Sequence, residues 1–344
     1  RVYEPFIRKA AGLGVGSIEK DKERYEHKYE YCDLLVTGSG PSGLASAYAA
    51  AKSGAKVILA EDKPRFGGSL LTDDVNIENL SGKQWADKII SELKEMPNVT
   101  LKNRSQVFGY YDHNMLVMFE RTGDHLEKKS KYHPRQRLWY IRSKEVILST
   151  GSIERPIVFG NNDTPGIFLA SAAKEYMKVY GVVVGKKPLI FTNNDSAYET
   201  AIEFKKNGID PIILDTREEQ DTDLINDAKS QGIEIKFSHA VAVANGYKKV
   251  KSAKIGKLNS NKTGFENIET VECDCICVSG FWTPTVHLTS QSGNKLKFNK
   301  DIDAFVPDKS KQKEITIGAA NGSFTLKETI EKSFESGANV AKKL

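Results

Sequence analysis

Three glycines and one carboxylate near the start of the chain have the types and the spacing that dinucleotide binding requires. The segment 38–43 reads Gly-Ser-Gly-Pro-Ser-Gly, and Glu61 follows the next apolar run. Gly38 permits a tight turn, Gly40 lets the backbone approach a pyrophosphate, and Gly43 lets a helix pack closely on a strand. The Glu61 carboxylate can accept hydrogen bonds from a ribose 2′-hydroxyl and would repel a 2′-phosphate.

The segments around these residues are typical of a strand, a turn, a helix and a second strand. The apolar run Leu34–Thr37 predicts a buried parallel strand, and an alanine-rich helix starts at Pro41 or Ser42. The first N–H groups of this helix and the positive end of its dipole would face the phosphates. Gly54 ends the helix, and Lys56–Ala60 predicts the second strand. This context favours a dinucleotide site over a βαβ unit without a ligand.

The overall composition is ordinary for a folded protein and excludes several function classes. Of the 344 residues, 39% are hydrophobic and 28% charged, and 50 Lys and Arg against 45 Asp and Glu give a net charge of +5. This excess is spread along the chain, whereas nucleic-acid binding needs a clustered basic face. The sequence contains no apolar stretch of bilayer length and no signal-peptide pattern. Because the first residue is Arg1, we expect a fragment or a processed piece.

The four cysteines indicate buried thiols rather than a metal site. Cys32 stands alone, and Cys273, Cys275 and Cys277 alternate along a predicted strand, which would put them on one face. A zinc knuckle would need a C-x-x-C spacing and further ligands. We therefore predict no metal site, and we expect the reducing cytoplasm as the compartment.

A second unit with the same order of elements lies in the middle of the chain. Leu189–Phe191 predicts a strand, Ser196–Lys206 predicts a helix, and another strand follows. When the two units are aligned, Asn193, Asp195 and Tyr198 take the positions of the three glycines. A tyrosine ring opposes close helix–strand packing, and an aspartate repels a pyrophosphate. This unit is therefore predicted to keep its fold without a dinucleotide.

Two segments are predicted to carry the chain from one domain to the other, and we call them the crossing segments. They predict an α/β fold of two Rossmann-like domains, the second inserted in the first. Thr150-Gly151 ends a hydrophobic strand before Arg155-Pro156, and Ser279-Gly280 precedes Pro284 in the same way. Glycine permits close backbone approach, and proline suits an extended linker. The predicted boundaries are an arm or linker at 1–30, a dinucleotide-binding domain at 31–156 and 281–344, and an inserted domain with a degenerate nucleotide site at 157–280.

Other segments have clear periodicity. We predict an amphipathic helix at 84–95, antiparallel strands at 113–122 and 137–149, and a final helix from Leu326. Of His113, His133 and His287, only His287 lies beside a crossing segment, and no acid or nucleophile visibly pairs with it, which favours a structural or interface role.

One dinucleotide fold inserted into another resembles the glutathione-reductase-type flavoproteins. In that family the first unit holds FAD and the second holds NAD(P)H. This chain departs from the family in two ways: it lacks the C-x-x-C or C-x-x-x-x-C redox disulfide, and Ala319 follows Gly318 where the family has Gly-Asp. The family's aspartate holds the flavin ribityl chain, so the resemblance puts FAD in doubt at this site.

A more specific resemblance, to the α subunit of heterotetrameric sarcosine oxidase, covers nearly the whole chain. It rests on the strings at 3–5, 24–27, 66–70, 107–113, 134–139, 151–156, 191–198, 286–293 and 318–322. The family's α subunit is much longer, with a small ferredoxin-like region before this segment and a folate-binding, aminomethyltransferase-like domain after it.

This resemblance implies an oxidoreductase subunit that takes part in converting sarcosine to glycine only within a complex. In the family a β subunit carries FAD and oxidises the amine. Electrons then pass to FMN, held covalently by the β subunit at the α/β boundary, and on to oxygen, which gives hydrogen peroxide. The one-carbon unit passes to tetrahydrofolate or leaves as formaldehyde. The partners are subunits of the β, γ and δ types, and we expect no turnover from this chain alone.

Carried over onto this chain, the resemblance implies an NAD site in the first unit, with no catalytic residue assigned. Its residues are Gly38, Gly40, Pro41, Ser42, Gly43, Glu61, Asp62, Lys63, Arg65, Gly68, Ser69, Val107, Thr150 and Gly151. Two alternatives stay open. One is a component that binds FAD, either a reductase or an amine (opine or proline) dehydrogenase, and the other is an assembly scaffold without a nucleotide.

Overall fold

The computed structural model describes residues 2–12, 14 and 16–344. The helices are α1 (Glu4–Ala10), α2 (Pro41–Lys52), α3 (Gly82–Glu95), α4 (Ala170–Tyr180), α5 (Ser196–Lys206), α6 (Asp223–Ser230), α7 (His287–Gln291) and α8 (Leu326–Lys342). Strands of the first half are β1 (Tyr25–Thr37), β2 (Val57–Ala60), β3 (Asn76–Ile77), β4 (Leu80–Ser81), β5 (Val99–Lys102), β6 (Ser105–Tyr111), β7 (Met115–Arg121), β8 (Gln136–Leu148), β9 (Ser152–Glu154) and β10 (Ile167–Leu169). Strands of the second half are β11 (Pro188–Thr192), β12 (Ile212–Asp215), β13 (Glu234–Phe237), β14 (His239–Gly246), β15 (Val250–Leu258), β16 (Phe265–Glu272), β17 (Cys275–Ser279), β18 (Trp282–Pro284), β19 (Leu296–Asn299), β20 (Ala304–Pro307) and β21 (Glu314–Thr316).

The first large sheet is organised around β1 and β8, which pair in parallel. Its order is β5-β2-β1-β8-β7-β6, and β21 also pairs in parallel with β8. The apolar end of β1, Leu34–Thr37, lies in register between Val57–Ala60 and Glu145–Leu148. Because neighbouring parallel strands end at the same edge of a sheet, the residues that follow β1, β2 and β8 meet there.

Helices α2, α3 and α8 pack around one core with the parallel strands of this sheet. Helix α3 begins with a capping box, in which the Gln84 N–H donates to Ser81 Oγ and the Ser81 N–H donates to Gln84 Oε1. Its buried face carries Trp85, Ile89 and Leu93, the positions that the helical spacing predicts. Helix α8 packs directly against α2 and returns the end of the chain to the first sheet.

A second, all-parallel sheet has the order β10-β17-β11-β12-β13. Helices α4, α5 and α6 pack on one face of it, and the antiparallel meander β14-β15-β16 contributes to the core on the other. Cys275 and Cys277 face the helices, whereas Cys273 lies in the other core. The prediction that all three share one face was wrong, because the strand begins only at Cys275.

The chain passes between the two sheets at two segments that pair with each other. β9 lies antiparallel to β18, with Glu154 opposite Trp282. The Arg155 guanidinium ties the first segment down by donating to the carbonyl oxygens of Ile302 and Asp303. The crossing segments therefore form a two-stranded connection between the two α/β units.

The predicted α/β class with a glutathione-reductase-like arrangement is confirmed, and two element boundaries differ from expectation. β1 begins at Tyr25, inside the predicted arm, because its first half pairs with the first half of β8. β7 begins at Met115, because His113 and Asn114 form a turn with φ of 58° and 51°. The exact domain boundaries stay a prediction. Arg1, Leu13 and Val15 of the predicted arm lie outside the described residues.

Among the described residues, the helices include none that combines the length and the apolar character needed to cross a membrane.

Candidate functional site

A cavity of about 1430 Å³ lies where the strands of both sheets end. It is lined from the first unit by the residues after β1, β2 and β8, and from the second by the residues after β11 and by α4. The carboxyl edge of parallel strands is where open α/β sheets bind their ligands. Twelve of the predicted site residues line this cavity: Gly38, Gly40, Pro41, Ser42, Glu61, Asp62, Lys63, Gly68, Ser69, Val107, Thr150 and Gly151.

The other two predicted residues lie elsewhere. Gly43 is buried behind the cavity wall, in contact with the Gly38 backbone, which matches the packing role predicted for it. Arg65 is exposed and is not part of the lining. The structure therefore separates a glycine that shapes the wall from those that face the cavity.

The glycine turn is packed tightly against the end of β8. A Cβ atom at Gly38, where φ is +97°, would lie 2.3 Å from the Ser149 carbonyl oxygen. Ser149 Oγ donates to the carbonyl oxygens of Thr37 and Gly38, each at 2.8 Å. Sequence reasoning missed this serine, because only the sheet register brings it beside the turn.

Glu61 is buried at the end of β2 and fixes the same turn from the other side. Its Oε2 accepts the Ser39 N–H at 2.9 Å and the Ser39 hydroxyl at 2.5 Å, and its Oε1 accepts the Lys63 N–H at 3.0 Å. Burial raises the pKa of Glu61, and these donors oppose the rise. Oε1 has further acceptor capacity toward the cavity, because a carboxylate oxygen accepts more than one hydrogen bond.

The geometry of the glycines fits a dinucleotide. A Cβ atom at Gly40 would meet nothing within 4 Å, and the same is true at Gly151, so both positions leave open space on the cavity side. At Gly68 it would lie 2.7 Å from Gly40 Cα, so two backbone segments meet here without side chains. Helix α2 starts at Pro41 with no acidic residue in its first turn. An exposed helix start beside glycine backbone is suited to a pyrophosphate.

At the end of the cavity next to β21, the lining includes small and aromatic side chains. Gly318 packs on Ser42, since a Cβ atom there would lie 2.1 Å from Ser42 Oγ. The next residue, Ala319, faces the cavity with a methyl group, and Trp282 and Phe324 line the wall nearby. This end therefore offers apolar and aromatic surface, and position 319 offers no acceptor for a polyhydroxyl chain.

In the second unit, the charged groups at the start of α5 pair with one another. The Arg217 guanidinium contacts Asp195 at 2.7 Å and Asp215 at 2.7 Å. Tyr198 is fully buried and donates its hydroxyl to Asp215 Oδ2 at 2.9 Å. The ring of Tyr198 thus occupies the position where a glycine would allow close packing, and Asp195 places a carboxylate at the start of α5.

Titratable groups at the cavity are mostly engaged with one another. Lys174, 7% exposed, donates to Asp73 and Glu199. Burial alone would lower the pKa of Lys174, but these two carboxylates outweigh it and raise the pKa. His287, expected to have a structural or interface role, lines the cavity at the start of α7. Across the part of the chain that the structure describes, no group of His, Cys, Asp and Glu side chains could hold a metal ion.

Comparisons with known proteins agree with this architecture. Residues 33–117 match the family described as FAD dependent oxidoreductase. Sarcosine oxidase subunit alpha of Rhizobium meliloti (strain 1021) is 37% identical over 322 residues, which are 93% of this chain and 31% of that protein. The subunit alpha of Corynebacterium sp. (strain U-96) is 35% identical over 316 residues, 91% of this chain and 32% of that protein. The chain thus spans about a third of the length of these relatives.

Among solved structures, L-proline dehydrogenase from P. horikoshii superposes with a TM-score of 0.71 at 21% identity, covering 96% of this chain and 58% of that one. This similarity concerns the fold. The chain thus has the glutathione-reductase-like fold with two Rossmann-like units, and its sequence is homologous to a segment of the α subunits of sarcosine oxidase.

Proposed function

We propose that the first unit of this chain holds NAD as a fixed component of a sarcosine-oxidase-type complex. In this proposal a partner subunit carrying FAD oxidises sarcosine to glycine, and FMN at the boundary between the subunits passes electrons to oxygen. The products are hydrogen peroxide and either formaldehyde or methylenetetrahydrofolate. The relatives named as α subunits support this assignment, although they are about three times as long as the chain.

The observation that carries the choice of NAD over FAD is Ala319 at the cavity wall. Both dinucleotides contain an adenosine ribose and a pyrophosphate, so the glycine turn and Glu61 suit either one. They differ beyond the pyrophosphate, where FAD has a ribityl chain with three hydroxyl groups. A methyl group at position 319 cannot hydrogen-bond these hydroxyls, and burying unpaired hydroxyls costs about 1–3 kcal/mol each.

The residues of this chain would bind and orient the dinucleotide rather than react with it. Glu61 would accept hydrogen bonds from the adenosine ribose, and the N–H groups at the start of α2 would face the pyrophosphate, with Gly40 allowing close approach. Val107, on β6, would lie at the adenine end. A nicotinamide ring is by its chemistry a hydride acceptor, but the proposal assigns this NAD no turnover.

A second candidate is supported by a different observation. The first unit matches the FAD dependent oxidoreductase family, and L-proline dehydrogenase has the same fold. A component of an amine dehydrogenase, acting on proline or an opine, would hold FAD in the same cavity. The Arg217–Asp195 pair in the second unit weakens the reductase form of this candidate, because a reductase that uses NAD(P)H needs a second nucleotide site.

The test is to denature the purified chain and identify the released nucleotide by absorbance and mass. Release of NAD without flavin is the expected result, and release of FAD would overturn it in favour of the second candidate. An empty protein whose melting temperature does not rise on addition of NAD or FAD would favour a scaffold without a nucleotide. A matched variant, Ala319→Asp, restores an acceptor at this wall and is expected to increase the binding of added FAD relative to the parent chain.

A further inference from the structure

Helix α4 belongs to the second unit but forms one wall of the cavity. Ser171, Lys174, Glu175 and Val179 line the cavity from this helix. Residues three and four positions apart share one face of a helix, so a single face of α4 covers the cavity. The wall that meets this helix includes the residues that follow β2 and the 3₁₀ turn Gly68–Leu71 of the first unit.

A buried lysine joins these two walls. Lys174 Nζ lies 2.7 Å from Asp73 Oδ1, which follows the 3₁₀ turn, and it also donates to Glu199 on α5. The side chain of Lys174 is only 9% exposed, and the two carboxylates are about 30% exposed. Lys174 is therefore the cation that keeps two carboxylates from different units close together.

Three further ion pairs lie beside it. Lys63 Nζ contacts both carboxylate oxygens of Glu175 at 2.8 Å. Asp74 accepts from Lys178 on α4 and, at 2.6 Å, from Lys206 at the end of α5. Each of these pairs joins the first unit to the second.

The paired crossing segments β9 and β18 connect the two units, and Glu154 of β9 accepts the Ser171 N–H at 2.8 Å, at the start of α4. A two-stranded connection can act as a hinge when the contacts away from it are released. Because α4 packs in the core of the second unit, it moves with that unit, and its position over the cavity depends on the ion pairs as well as on the covalent connection.

We propose that α4 is a lid over the dinucleotide cavity, latched by the ion pairs Lys174–Asp73, Lys63–Glu175 and Lys178–Asp74, and that a bound dinucleotide exchanges only when this latch opens. The proposal rests on the proposed function for the identity of the ligand. Exchange is consequently sensitive to ionic strength, because salt screens the two exposed pairs.

Substitutions at Lys174 test the latch without changing the residues that we propose bind the dinucleotide. Lys174→Met removes the cation and leaves Asp73 and Glu199 facing each other without compensation, which favours opening. Lys174→Arg keeps the charge and is expected to behave like the parent. Lys187→Met is the matched control, because its pair with Glu272 is exposed and lies within the second unit, outside the cavity lining.

The first experiment loads the full chain with isotopically labelled NAD and measures its release into an excess of unlabelled NAD. We expect Lys174→Met to release NAD at least about tenfold faster than the parent, Lys174→Arg and Lys187→Met. Raising the salt from about 0.05 M to about 0.5 M is expected to accelerate release from the parent, because it screens the two exposed pairs. Equal release rates in all four proteins, with NAD retained, would overturn the latch and leave the proposed function standing.

A second measurement does not depend on any ligand. The four native cysteines are buried, so spin labels can be directed to new exposed cysteines, Glu95→Cys on α3 and Ser230→Cys on α6. The distance distribution between the labels is expected to broaden when Lys174→Met is added and to stay narrow with Lys187→Met. If no NAD is retained, the proposed function fails, but this measurement still tests the latch. A distance distribution that Lys174→Met leaves unchanged would contradict the latch.

Discussion

A Cβ atom at Gly43 would lie 1.9 Å from the carbonyl oxygen of Gly38, so helix α2 crosses the end of β1 at a distance that glycine alone permits. The contact involves backbone on both sides, and neither side can move without shifting the helix or the sheet. Gly43→Ala is therefore expected to lower the free energy of unfolding by at least about 2 kcal/mol, because overpacking a core has this cost. Denaturant unfolding followed by circular dichroism measures it, and a midpoint equal to that of the parent would contradict this packing.

Gly40→Ala is expected to weaken nucleotide binding and to leave the stability of the fold nearly unchanged. Gly40 has φ of −64° and open space where a Cβ atom would be, so alanine fits the backbone and the free energy of unfolding should change by less than about 0.5 kcal/mol. The new methyl group would enter the cavity where we place the pyrophosphate. We expect loss of nucleotide from the purified variant, measured as moles of nucleotide per mole of chain; full retention would contradict the assignment of this site.

Gly337 lies where α8, near the end of the chain, packs against α2. A Cβ atom there would lie 2.2 Å from the carbonyl oxygen of Ser46 on α2. Gly337→Ala gains helix propensity, worth about 1 kcal/mol, but forces the helices apart. We expect a net destabilisation of about 1–3 kcal/mol in thermal or denaturant unfolding. Glu335→Ala, an exposed position two residues earlier, is the control and should be nearly neutral.

Glu314 on β21 makes stability depend on pH. It is 5% exposed, and burial raises its pKa from 4.5 to about 7, against the opposing donors Ser292, Tyr110 and Asn294. Because the folded state then binds more protons than the unfolded state between these two pKa values, the free energy of unfolding falls as the pH rises from about 4.5 to about 7.

Glu314→Gln removes this titration. Its stability relative to the parent should therefore increase by about 2 kcal/mol between pH 5 and pH 8, measured by denaturant unfolding at both values. Glu331→Gln, an exposed position on α8, should have no such trend. A constant difference between Glu314→Gln and the parent would mean that Glu314 is not titrating in this range.

Arg217 should matter for the stability of the second unit. Asp215 is fully buried and accepts from both Arg217 and Tyr198, so Arg217→Met leaves a buried carboxylate without its cation. The expected cost is about 2–4 kcal/mol in the free energy of unfolding. Lys187→Met removes an exposed ion pair and should cost less than about 1 kcal/mol. Equal effects of the two variants would contradict the structural role of Arg217.

Local patterns were sufficient to locate most of the elements near the cavity. The apolar run before Gly38, the alanine-rich helix and the helical spacing of Trp85, Ile89 and Leu93 each depend on neighbours in sequence, and each element is present. The half of β1 that begins at Tyr25 was missed, although Tyr29 and Tyr31 alternate with charged residues, because its pairing partner lies more than a hundred residues away.

The sequence by itself determined the glycine turn, the carboxylate at Glu61, the loss of the glycines in the second unit and the alanine at position 319, because these depend on residue type at short spacing. Only the tertiary structure decided that Ser149 contacts the turn and that Lys174 joins Asp73 to Glu199. Those contacts join residues from separate strands and helices. Their distances are set by sheet register and by the packing of one unit on the other, which no local pattern records.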